Sequence, residues 1–83
     1  MQEKHIKENE IIVNGRPKII EEKKLTYRQV ITIAFGQYDE NPNAVYTVTY
    51  SKGRNEDKGS LVDGQEVTVK KGMVFNVTRT DKS

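Results

Sequence analysis

The chain has 83 residues with no cysteine and one histidine, and its 14 Lys and Arg against 12 Asp and Glu leave a net charge of +2. That is the size of one small domain, and it excludes disulfides, thiol nucleophiles, thiolate metal sites and any histidine-based metal cluster. The near balance of charge gives no basic footprint for nucleic acid, and no apolar run reaches the ~18 residues of a membrane helix.

Residues 1–8 are charged and aperiodic and read as a flexible arm. The start, Met1-Gln2-Glu3-Lys4-His5, has no signal-peptide core. A cytoplasmic protein that works through its surface is the expectation, and not an enzyme. From residue 9 the apolar pattern sharpens. Ile11-Ile12-Val13, Asn14-Gly15 and Arg16-Pro17-Lys18-Ile19-Ile20 form two apolar runs around an Asn-Gly pair. Both central residues of a type I′ turn need positive φ, which Asn and Gly tolerate, so a β-hairpin is predicted. Pro17 cannot donate to a ladder, which places the second strand at a sheet edge.

After the polar stretch 21–24, Thr26 and Gln29 fit a capping box, with Leu25 and Val30 as the hydrophobic staple beside it. Tyr27, Val30, Ile31 and Ala34 recur at spacings of three and four, and Gly36 is placed to end the helix. Residues 37–43, with Asp39, Asn41, Pro42 and Asn43, read as a loop. Residues 44–50 alternate, so Tyr46, Val48 and Tyr50 should point inward from a half-buried strand.

Residues 51–59 form a charged connection. Ser60-Leu61-Val62 and residues 65–69 are two short strands, and Met73, Phe75 and Val77 mark the inner face of the last strand. The globular domain is expected to span residues 9–79, with 80–83 as a polar tail. Nine Val, seven Ile and seven Thr against two Leu favour β structure throughout.

The order is hairpin, helix, strand, short strands, final strand, written ββαβ(β)β. One helix should cover one face of a single mixed sheet, with the last strand parallel to the first and beside it. This is an α+β, β-grasp arrangement.

Most chemistry-bearing residues have a bland reading. His5 has no partner at useful spacing and reads as solvated. The pairs Lys23-Lys24 and Lys70-Lys71 are offset by nearby carboxylates, as are Lys52, Arg54 and Lys58. Tyr46 and Tyr50 could stack bases, but with Val48 between them they read as core. The outer sheet face is more telling. Ile12 and Val74 should point outward from neighbouring strands, framed by Thr47, Thr49 and Asn76, as a small docking patch.

The hairpin 11–16, the Leu25-Thr26-Tyr27 helix start, and the stretches 44–50, 59–64 and 72–78 together resemble the bacterial multiubiquitin domain. The resemblance covers residues 10–83. It implies a ubiquitin-like modifier whose C-terminal carboxylate is adenylated with ATP by an E1-like enzyme and passed on through an E2-like enzyme. A JAB-type deconjugating protease would complete the set, and the modifier itself would need no cofactor. Carried over, Arg79, Thr80, Asp81, Lys82 and Ser83 form the conjugation tail. The Gly-Gly of ubiquitin is missing, so partner channels would be wider or differently shaped, or this copy would not be conjugated, or the chain would be one unit of a longer polyprotein with Ser83 as a processing boundary. The alternative is a non-covalent assembly module, self-association included, that uses the outer sheet face or an edge strand, with neither nucleic acid nor membrane as partner.

Overall fold

Asn14 and Gly15 turn the chain back on itself with φ of 53° and 80°. The turn joins β1 (Asn9–Val13) to β2 (Arg16–Ile20), which pair antiparallel with Val13 opposite Arg16. These positions belong to a computed structural model that describes residues 8–52 and 58–81. The N-terminal arm up to Lys7, including His5, lies outside the described residues, as do Lys82, Ser83 and the part of the charged loop that holds Arg54. Pro17 stands opposite Ile12, in a pair that exchanges no ladder bonds, so its missing N–H falls on the outer side of β2.

The chain then forms a short strand β3 (Lys24–Thr26) and enters helix α1 (Tyr27–Phe35). Thr26 caps the helix: the Gln29 N–H donates to the Thr26 hydroxyl at 3.2 Å, and the Thr26 N–H donates to the Gln29 side chain at 2.8 Å. Gly36 ends it with φ of 88°, a left-handed conformation that suits a residue with no Cβ. Its N–H donates to the Thr32 carbonyl at 2.7 Å. Tyr27, Val30 and Ile31 are buried, so the predicted stripe faces the sheet.

The remaining strands are β4 (Ala44–Ser51), β5 (Gly59–Leu61), β6 (Glu66–Thr68) and β7 (Val74–Asp81). Five of the seven make one sheet in the order β2-β1-β7-β4-β5. β1 and β7 run parallel at its centre, with Ile12 opposite Val74, and the other pairs are antiparallel. The helix crosses one face. Ile11, Val13, Val48, Phe75 and Val77 meet Val30 and Ile31 there, each at most 3% exposed. This is the expected β-grasp arrangement.

Two expectations need correction. The sheet is not single: β3 and β6 form a second, two-stranded sheet with Leu25 opposite Val67. Leu25 is buried, while the flanking Lys24 and Glu66 form an exposed ion pair at 3.5 Å. The hydrophobic effect on Leu25, rather than strand propensity, holds the segment. The second correction concerns the last strand, which continues past residue 79. Ala44 and Val45 extend the β4 ladder opposite Asp81 and Thr80, so both residues are strand rather than tail.

Asn14 does more than turn the chain. Its N–H donates to the Phe75 carbonyl at 2.9 Å, the last backbone contact of the hairpin with β7. Its side chain then takes the place of one more strand residue: the Val77 N–H donates to Oδ1 at 2.7 Å and Nδ2 donates to the Val77 carbonyl at 3.1 Å. Asn14→Gly keeps the turn, because glycine accepts positive φ, but removes both bonds. Urea unfolding of that variant should show a loss of about 1–2 kcal/mol. An unchanged midpoint would mean that the bridge contributes nothing.

Candidate functional site

The two features singled out by the sequence meet on β7. Ile11, Val13, Phe75, Val77, Tyr46 and Val48 are buried, so their strand neighbours Ile12, Val74, Asn76, Thr47 and Thr49 point to the opposite face. The register brings these five side by side, with Ile12 opposite Val74, Thr49 opposite Asn76, and Thr47 opposite Thr78. Ile12 and Val74 are half-buried. Two exposed residues that sequence reasoning missed share this face: Ile19, 60% exposed and opposite Glu10, and Val45, 37% exposed and opposite Thr80. Counting outward from the two-residue turn would have found Ile19. Among the described residues Glu10 is the one ionisable group that the five strands present to this face, in a chain that is 31% charged.

The far end of β7 is built differently. Carbonyls of Met73 and Phe75 accept from β1, so the backbone groups of odd-numbered residues face β1 and those of even-numbered residues face β4. Beyond Val77, Arg79 and Asp81 turn their N–H and C=O toward a side where no strand stands among the described residues. Residues 78–81 and 44–47 therefore leave the sheet as a two-stranded ribbon.

Arg79 fastens that ribbon. Its side chain lies on the inner face, with the guanidinium 5.8 Å from the centre of the Tyr46 ring. It donates to Asp81 at 3.1 Å and to Asp39 at 2.8 Å. The hydrogen bond to Asp81, then the charges of Asp81 and Asp39, raise its pKa above the ordinary arginine value. Asp81 sits on the same strand, so of these two carboxylates Asp39 is the one that ties β7 to another segment. Asp39 is itself placed, because its N–H donates to the Tyr46 hydroxyl at 3.0 Å. Tyr46 in turn stacks on Tyr38 at 5.4 Å and meets Phe35 at 6.0 Å. Tyr46 is therefore core, as its alternation implied, while Tyr50 is half-buried against Phe75.

A family model described as multiubiquitin matches residues 9–81. The chain belongs to the multiubiquitin family. Neither the search of curated proteins nor that of solved structures found a match.

In this multiubiquitin domain Arg79, Thr80 and Asp81, expected as tail, are thus ordered by the sheet and by Asp39. Lys82 and Ser83 lie outside the described residues. No signal in the sequence pairs Asp39 with Arg79, 40 residues apart. Among the described residues no group of His, Asp and Glu could hold a metal ion, and no helix is long and apolar enough to cross a membrane.

Asp39→Asn removes the charge but keeps a side-chain oxygen for the turn to Asn41, which Asp39 Oδ1 supports at 2.9 Å. Trypsin should then cut after Arg79 several-fold faster, with thermal unfolding nearly unchanged. Mass spectrometry of the released C-terminal peptide reads the rate, and equal rates would mean that Asp39 does not fasten the strand.

Proposed function

We propose that this domain is a ubiquitin-like modifier that acts in the cytoplasm through a carboxylate beyond the end of β7. An E1-like enzyme would bind ATP and guide a carboxylate oxygen onto its α-phosphorus, with pyrophosphate leaving. A partner thiolate would then attack the acyl carbon, release AMP and form a thioester, which an E2-like enzyme would carry to an amine or hydroxyl of the target. A JAB-type protease would reverse the last step. The modifier supplies one substrate group, and its partners supply the ATP site, the thiolate and the water.

Membership of the multiubiquitin family supports this reading. The single structural observation that favours it is the path of β7, which runs from the centre of the sheet into a ribbon with one open backbone side. A strand that leaves the domain in extended form can enter a narrow cleft without unfolding the core.

A second reading is favoured by the outer face. Its low charge, with Glu10 alone among the described strand residues and Ile19 and Val45 exposed, suits non-covalent docking of a partner or of another copy. Two variants separate the readings when the full chain is incubated with ATP and an E1-like enzyme. Deleting everything after Asp81 should abolish the adenylate and the thioester, while Ile12→Glu should leave both. If the truncated chain were still activated, the reacting carboxylate would not lie beyond β7. If Ile12→Glu alone abolished activation, the outer face would be the primary site.

A further inference from the structure

The open side of β7 fits a second copy of the same strand. At Val77 the Asn14 side chain closes the ladder. Beyond it the N–H and C=O of Arg79 and Asp81 point away from β4, toward a side where no strand stands among the described residues. Thr78 and Thr80 face β4 instead, opposite Thr47 and Val45. The strand end therefore offers two residues with open backbone groups, separated by one without.

The side chains follow the same alternation. Arg79 and Asp81 lie together on the inner face, joined at 3.1 Å, and Thr80 points to the outer face. Charged side chains commonly protect an exposed edge, because a second copy brings the same charge against them. Here the two charges are opposite in sign, and they stand at the two positions whose backbone groups are open.

We infer that two copies of this chain pair antiparallel along residues 79–81, about a two-fold axis that passes between their Thr80 residues. Arg79 then stands opposite the partner's Asp81, and Asp81 opposite the partner's Arg79. These two pairs exchange every open N–H and C=O of the strand end. The charges alternate in sign around a square, so each cation has one carboxylate beside it along the strand and another across it. Arg79 keeps Asp39, which it already reaches at 2.8 Å. The same charges select the register. Sliding by two residues sets Arg79 against the partner's Arg79, or Asp81 against the partner's Asp81. Sliding by one sets open backbone groups against closed ones. Because Asn14 occupies the edge at Val77, the contact stays short and weak, far below the ~800 Å² per partner of a standard interface. In dilute solution the strand end is bare, and in concentrated solution pairing withholds it from other partners. The inference is independent of conjugation, since its test needs neither ATP nor an enzyme.

The test is an NMR dilution series of the full chain from millimolar to micromolar concentration. Shifts at Arg79, Thr80 and Asp81 should move with concentration, and protection of the Arg79 and Asp81 amides should rise with it. In a mixture of labelled and unlabelled chain, a cross-peak should join the α protons of Thr80 in the two copies, which such a pair brings close. Asp81→Lys leaves Arg79 on Asp39 but makes every cross-strand neighbour a like charge, and should weaken pairing about ten-fold or more. Mixing that chain with an Arg79→Glu chain should restore pairing between unlike copies. No concentration dependence up to millimolar, contacts centred on Ile12 and Val74 instead, or an Asp81→Lys chain that pairs as well as the original would each overturn the proposal. So would a mixture that stays monomeric while both variants keep the Thr80 amide protected by β4.

Discussion

The parallel pairing of β1 with β7, closed by the Asn14 side chain on Val77, is the contact on which the rest of the molecule depends. It joins the first and last strands, 63 residues apart at the bridge. Closing so long a loop is costly in chain entropy, and the enclosed apolar residues must offset it. Ile11 and Phe75 do so at the centre, where both are fully buried. Asn14 then settles where the pairing stops. Its two side-chain bonds satisfy the N–H and carbonyl of Val77 that β1 is too short to reach, so the ladder ends without an orphaned buried group.

That stopping point divides β7 into two parts with different physics. Up to Val77 the strand has a neighbour on each side and a helix beneath it. Beyond Val77 it has β4 alone, and its hold on the domain passes to Arg79. The guanidinium lies over Tyr46 and reaches Asp39, so an aromatic ring and a carboxylate on separate elements share one cation. Such a contact on the surface is weak and screened by salt. A strand end held this way can open without disturbing the core.

Much of this could be read from residue types. Asn14-Gly15 names its turn, Thr26 with Gln29 names the start of α1, and alternation along 44–50 and 73–77 names the inward face. The features that stayed hidden depend on pairs far apart in the chain. β3 has three residues, too few to show a period, and it meets β6, a strand the sequence did mark, because Leu25 needs cover. Asp81 carries little strand propensity, and Ala44 and Val45 draw it and Thr80 into the ladder. The Asn14 bridge was half legible: its φ comes from the residue type, whereas its bonds to Val77 come only from the fold.

Residue-resolved amide hydrogen exchange along β7 tests the divided strand most directly. The pairing pattern predicts slow exchange at Phe75, Val77, Thr78 and Thr80, and fast exchange at Arg79 and Asp81, whose N–H groups face the open side. Protection at Arg79 and Asp81 equal to that at Val77 in dilute solution would contradict the account, because it would require a further strand beside β7 where none stands among the described residues.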